Sequence, residues 1–118
     1  MITEDYVSFE IAKLLKEKEF DGAVQLYYNK LGGKIFSSNP ITKNCIKAPT
    51  LQMAIKWLRE IYNIHIVLSP NKKMNNQYGS IIFVDKEGEL HPQPTDFFHG
   101  SYKETAEVAI KYCLENLI

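Results

Sequence analysis

The chain has 118 residues, 14 basic and 14 acidic side chains, a hydrophobic fraction of 45% and a charged fraction of 24%. This length and composition predict a single globular domain over residues 1–118, stable without a disulfide or a metal. The balanced charge disfavours nucleic-acid partners, and no segment approaches the ~20 apolar residues of a membrane span.

The N-terminus and the two cysteines indicate the compartment. The opening residues, M-I-T-E-D-Y, lack the apolar core of a secretory signal. Cys45 and Cys113 lie far apart without C-x-x-C spacing, and a disulfide between them is disfavoured outside the secretory pathway. We therefore expect a cytoplasmic protein with reduced thiols.

The first predicted element is a helix over residues 8–19. Ser8 is a suitable N-cap, and the Asp21-Gly22 pair ends the segment. The apolar residues recur at helical spacing, which predicts one buried face. They are Ile11, Ala12, Leu14 and Leu15.

A β-hairpin is predicted next. Residues 24–28 and 34–37 are rich in β-branched and aromatic side chains, and residues 29–33 supply the turn. Gly32 and Gly33 lack the spacing of a phosphate-binding loop, so we interpret them as turn residues. Residues 38–48 are polar and contain Pro40, which predicts an irregular connection.

The strongest helical pattern spans Pro49 to Tyr62. Thr50 is its predicted N-cap and Asn63 its stop. Trp57 lies on the flank of the apolar face, where it either closes the edge of the core or offers an exposed ring for stacking on a ligand. The predicted core face comprises Leu51, Ala54, Ile55, Leu58, Ile61 and Tyr62.

Three strands are predicted after this helix, over residues 64–68, 79–84 and 89–91. In the first strand, Ile64, Ile66 and Leu68 share one face, while His65 and Val67 share the other. The segment 69–77 has loop composition. The D-K-E-G-E-L segment predicts a hairpin turn in which Gly88 takes a positive φ.

The last part of the chain combines a loop and a helix. Residues 91–100 contain two prolines and two histidines and predict a rigid loop. Ser101 and Glu104 form a capping box, which places a helix after Ser101. We expect an inward face of Tyr102, Ala106, Ala109, Ile110, Cys113 and Leu117. We expect a ladder facing water of Lys103, Glu107, Lys111 and Glu115.

These elements predict an α+β fold in which three helices pack on a small, mainly antiparallel sheet. The element order is α-β-β-α-β-β-β-α. Most connections between strands are short hairpins, and hairpins join antiparallel neighbours.

The sequence contains no motif for catalysis or for a cofactor. No nucleophile elbow, zinc-ligand spacing or pair of carboxylates is recognisable. One alternative is a metal-dependent hydrolase in which His91, Asp96 and His99 converge as ligands. Ordinary hydrogen bonding within the loop explains the same residues, so we expect neither an enzyme nor a bound metal.

Binding is the better hypothesis because the chain is rich in tyrosine and other aromatic residues. The candidate surface combines the 69–78 segment with the 91–100 segment. Two basic residues beside a tyrosine suit a small anionic ligand, with two histidines as further contacts. The candidate binding residues are Lys72, Lys73, Tyr78, His91, His99 and Trp57.

Three stretches resemble one group of known sequences. They are S-F-E-I-A-K-L-L-K-E-K-E-F-D, A-P-T-L-Q-M-A-I-K-W-L-R-E and Y-K-E-T-A-E-V-A-I-K-Y-C-L-E-N-L. Together they resemble small, uncharacterised proteins encoded by phages and prophages of Bacteroides-type gut bacteria. The resemblance implies an accessory protein in the bacterial cytoplasm and transfers no catalytic residue.

Two functional hypotheses for binding follow. The first is a binding module that sequesters or blocks a host protein or a nucleotide-type ligand, as an anti-defence protein does. The second is a structural protein that forms a homo-oligomer through a sheet edge or Trp57 and takes part in phage assembly or replication.

Overall fold

The computed structural model describes residues 5–29, 35–36, 45–71, 77–93 and 97–118. The first half contains α1 (Phe9–Glu17), β1 (Tyr27–Asn29), β2 (Ile35–Phe36), β3 (Cys45–Lys47) and α2 (Leu51–Tyr62). The second half contains β4 (Ile64–Asn71), β5 (Gln77–Lys86), β6 (Glu89–Pro92), β7 (Phe97–His99) and α3 (Tyr102–Asn116). The α+β class and the predicted order are confirmed, with β3 and β7 as additional short strands.

The three helices begin where their capping residues predict. Ser8 Oγ accepts from the N–H of Ile11, and Thr50 Oγ1 accepts from the N–H of Met53. Ser101 Oγ accepts from the N–H of Glu104, which is one half of the predicted capping box. Asn63 ends α2 in the left-handed conformation, with φ 57°.

A four-stranded antiparallel sheet forms the larger part of the fold. β4 pairs with β5 from Ile64↔Val84 to Asn71↔Gln77 and occupies one edge of β5. β6 and β7 both pair with β5 and therefore lie end to end along its other edge. Glu87 and Gly88 form the two-residue turn between β5 and β6, and Gly88 has the predicted positive φ of 85°.

Two predicted loops contain strand residues, so those boundaries were wrong. The 69–77 segment was predicted as loop, but β4 continues to Asn71 and β5 starts at Gln77. The 91–100 segment was predicted as a rigid loop, but it supplies the end of β6 and all of β7. Local composition favoured loop at both places, and pairing along β5 overrides that preference.

β1, β2 and β3 form a separate three-stranded antiparallel sheet with β1 in the centre. The β1–β2 hairpin is as predicted, although β1 starts at Tyr27 and the turn lies outside the described residues. Residues 38–48 were predicted to be irregular, and this was wrong for Cys45–Lys47, which pairs with β1. The backbone of a partner strand stabilises this short segment, whose own sequence gives only a weak strand signal.

The core lies between the helices and one face of the four-stranded sheet. Ile64 and Ile82 point into it from β4 and β5, and they meet apolar side chains of the helices. Leu15 of α1, Leu58 of α2 and Ile110 of α3 are among its fully buried members. Both cysteines are outside disulfides, and Cys113 is buried in this core.

The charged ladder on α3 is not purely solvated, which corrects the prediction. Glu107 Oε2 accepts from the backbone N–H of Ser8 at 2.6 Å. Lys111 Nζ lies 2.8 Å from Glu10 Oε1. These two positions bridge α3 to α1, whereas Lys103 and Glu115 are exposed.

Candidate interaction surface

Two of the predicted binding residues lie opposite each other in the sheet. Tyr78 on β5 pairs with His99 on β7, close to the start of α3. The ring of Tyr78 makes an edge-on contact with the ring of Tyr102, at 5.7 Å between centroids. The hydroxyl oxygen of Tyr102 in turn accepts from Gln52 Nε2 at 2.7 Å. Tyr78 therefore belongs to a set of contacts that fastens the sheet to α3.

His91 lies far from this pair. It is opposite Val84 on β5, and His99 is opposite Tyr78, six positions away along the same strand. At ~3.3 Å per residue the two histidines are separated by roughly 20 Å. One small ligand or one metal ion cannot contact both histidines. The prediction that His91 and His99 share one site is therefore wrong.

Other predicted site residues fall outside the described ranges. Lys72, Lys73 and Asp96 are among these, so their part in binding stays a prediction. Among the residues that the structure does describe, no group of three or more His, Cys, Asp and Glu side chains could hold a metal ion.

Trp57 is a core residue at the edge of α2. Only 8% of its surface is exposed, and its ring makes edge-on contacts with the rings of Phe20 and Tyr62. This confirms the interpretation in which Trp57 closes the core. The alternative interpretation needed an exposed ring, and the burial of Trp57 contradicts it.

The most unusual surface is the side of the four-stranded sheet that faces away from the helices, which we call the open face. Side chains alternate between the two sides of a strand, and cross-strand partners point to the same side. Since Ile64 and Ile82 point into the core, His65, Val67, Ile81 and Phe83 point to the open face. Across β5, Leu90, Pro92 and Phe98 join them.

Four apolar side chains of the open face are exposed. Val67 is 47% exposed, Ile81 43%, Leu90 56% and Phe98 39%. The solvent side of an antiparallel sheet normally carries polar residues, because apolar groups there gain nothing from folding. Adjacent exposed apolar side chains of this kind mark surfaces for association.

Phe98 is held on the open face by a glycine. Gly79 lies opposite Phe98 in the sheet, and a Cβ atom added to Gly79 would meet Phe98 Cε1 at 2.8 Å. The ring therefore lies over the backbone of β5, in the space that a side chain at position 79 would occupy. This packing extends the apolar surface along β5 from Phe83 to Gly79.

The sequence pattern predicted part of the open face. The alternation in β4 correctly separated Val67 from Ile64, Ile66 and Leu68. For β5, however, a strand was predicted over residues 79–84 without dividing its side chains between two faces, so the exposed position of Ile81 was not identified. Phe98 could not be placed because β7 was not predicted.

One buried and one half-buried side chain have raised pKa values. Burial raises the pKa of the Cys113 thiol from its ordinary value of 9.0 to about 12. Burial also raises the pKa of Tyr28, and the nearby charge of Glu107 adds to this. The Tyr28 hydroxyl donates to the carbonyl oxygen of Val7 at 2.6 Å. Both shifts favour the neutral form and indicate structural groups.

Comparisons with known proteins add no assignment. No protein-family model, no curated protein and no solved structure matches the chain. None of the helices in the described part of the chain has the length and apolar character that crossing a bilayer requires.

Proposed function

We propose that this protein is a non-enzymatic interaction module that self-associates by packing its open face against the open face of a second copy. The observation that carries this proposal is the exposure of Val67, Ile81, Leu90 and Phe98 on one side of a single sheet. Burying these side chains against matching apolar groups removes them from water, which is the main driving force for association.

The charge distribution favours a second copy as the occupant. Among the described open-face residues, the only carboxylate or ammonium group belongs to Asp85, at the hairpin end of β5. Asp85 Oδ1 already accepts from the N–H of Gly88 at 3.1 Å. A symmetric dimer therefore brings no like charges together at its centre, and no lysine there opposes sheet packing.

The size of the open face indicates a weak dimer. β5 has ten residues, and a face of that length, three strands wide, covers roughly 480 Å² from the usual strand rise and spacing. Two such faces bury roughly 950 Å² together, which is below the ~1,200–2,000 Å² of a standard stable interface. We expect reversible association with a Kd that is micromolar or weaker.

The resemblance to phage-encoded proteins supplies a setting for this proposal. A self-associating protein of a phage or prophage acts in the cytoplasm of the bacterial host, in assembly or in replication. The other hypothesis, sequestration of a host factor around Lys72 and Lys73, stays a prediction.

Sedimentation velocity over a wide concentration range tests the proposal. We expect the native chain to shift from monomer to dimer, and Ile81→Lys to remain monomeric because an ammonium group is costly to bury in an apolar interface. Ile61→Lys is the matched control, since Ile61 is 58% exposed but lies on α2. It should dimerise like the native chain.

Two results would overturn the proposal. One is a native chain that stays monomeric throughout the concentration range. The other is an Ile81→Lys variant that dimerises as tightly as the native chain while its circular dichroism shows a native fold.

A further inference from the structure

A cavity of about 210 Å³ lies between the C-terminal half of α1 and β3. Its floor is formed by Ala12, Leu15 and Ile46, all of which are buried. Phe20 forms one wall, and its ring makes an edge-on contact with the ring of Trp57, at 5.4 Å between centroids. None of its described lining residues belongs to the open face, so binding in the cavity can be tested separately from the proposed dimer.

Two lysines lie at this apolar cavity. Lys16 comes from the last turn of α1, and Lys47 comes from β3. Lys47 Nζ donates to the carbonyl oxygen of Gly22 at 2.9 Å, which fixes the position of its ammonium group. The described lining contains no acidic residue to neutralise these two charges.

This combination selects a ligand by size and charge. The volume is smaller than the roughly 300–1,000 Å³ of pockets for drug-sized ligands. An apolar chain or ring can cover the floor and contact Phe20, and one carboxylate can accept from the ammonium groups. A phosphate monoester fits less well because it carries more charge, and the ammonium group of Lys47 already donates to the carbonyl oxygen of Gly22.

We propose that this cavity binds small monocarboxylates with an apolar body, such as a medium-chain fatty acid. The apolar body lies on Leu15 and Ile46, and the carboxylate lies between Lys16 and Lys47. Cys45 also lines the cavity. We therefore expect an occupant to reduce the access of a reagent to Cys45 and to change the surroundings of the Phe20–Trp57 pair.

Octanoate is the probe, and octanol is its uncharged counterpart. We expect octanoate to slow the reaction of Cys45 with a thiol reagent and to change the fluorescence of Trp57, the only tryptophan. Octanol should bind at least about tenfold more weakly because it lacks the charge. The experiment uses the full chain at a concentration where it is monomeric.

Lys16→Met tests the role of charge, because methionine keeps an apolar side chain of similar length. We expect octanoate affinity to fall by about tenfold, which corresponds to one charge-assisted hydrogen bond. Lys103→Met, an exposed lysine on α3, is the matched control and should bind octanoate like the native chain.

Three results would overturn the inference. The first is that octanoate at up to about 10 mM does not slow the reaction of Cys45 with the thiol reagent. A Kd above that concentration is too weak to indicate a specific site. The second is equal binding of octanol and octanoate. The third is unchanged octanoate affinity in both Lys16→Met and Lys16→Met/Lys47→Met variants whose circular dichroism is native.

Discussion

Glu107 and Ser8 are 99 positions apart in the sequence, yet Oε2 of Glu107 accepts from the backbone N–H of Ser8 at 2.6 Å. Ser8 caps α1, so this carboxylate lies at the positive end of that helix. The contact ties the start of the chain to the last helix.

Glu107→Ala should lower the free energy of unfolding by about 1 kcal/mol, because it removes a charge-assisted hydrogen bond to a partly buried N–H. Denaturant unfolding measures this change. Glu115→Ala is the control on the same helix, where the residue is exposed. Equal effects of the two substitutions would contradict a specific role for Glu107.

The carboxylate of Glu107 should also affect the pKa of Tyr28. The pKa of Tyr28 is raised first by burial and second by the charge of Glu107. Glu107→Gln should therefore lower this pKa while leaving it above the ordinary value. Ultraviolet absorbance against pH measures the change, and Tyr28→Phe identifies the signal. An unchanged titration would show that Glu107 does not act on Tyr28.

Gly79 and Phe98 should be energetically coupled. Gly79→Ala introduces a Cβ that must displace the ring of Phe98, so we expect a loss of up to about 1 kcal/mol despite the lower entropy cost of alanine. In Gly79→Ala/Phe98→Ala the obstacle is gone and the alanine at position 79 should be tolerated better. A double-mutant cycle from denaturant unfolding measures the coupling, and additive effects would contradict the contact.

Removal of two buried hydroxyl groups should affect the stability of the fold differently. Ser80 Oγ is buried without a hydrogen-bond partner among the described residues, so Ser80→Ala should leave stability unchanged or raise it slightly. Thr105 Oγ1 donates its one proton to the carbonyl oxygens of Ser101 and Tyr78, at 2.9 and 3.1 Å. Thr105→Val keeps the shape and should cost about 1 kcal/mol. Thermal unfolding compares both variants, and a clear loss for Ser80→Ala alone would reverse the assignment.

The two thiols should differ in reactivity. Cys113 is buried with its pKa raised to about 12, so the native protein should expose only Cys45 to a thiol reagent at neutral pH.

The folded state holds the Cys113 proton more tightly than the unfolded state does. This contribution is complete below pH 9.0, the ordinary value, and is lost as pH rises toward 12.

Cys113→Ala removes this pH dependence. Unfolding measured against pH should therefore show a steeper loss above pH 9 for the native chain than for Cys113→Ala, whatever the difference between them at neutral pH. Parallel curves would contradict the burial of an ionisable thiol at this position. Labelling of Cys113 in a natively folded Cys45→Ser variant would also contradict it.

The sequence by itself determined the parts of the fold that depend on neighbours along the chain. The caps at Ser8, Thr50 and Ser101, the stop at Asn63 and the turn at Gly88 are local signals, because each involves hydrogen bonds or backbone angles within a few residues. The alternation in β4 was readable for the same reason.

Only the tertiary structure decided where these elements meet. β3 and β7 exist because β1 and β5 offer them backbone partners, and their own residues carry weak strand signals. The separation of His91 from His99 and the cavity beside Lys16 follow from that pairing. The exposure of Ile81 follows from the side of the four-stranded sheet on which it lies. Such features depend on contacts between distant residues, and local patterns in one sequence do not contain them.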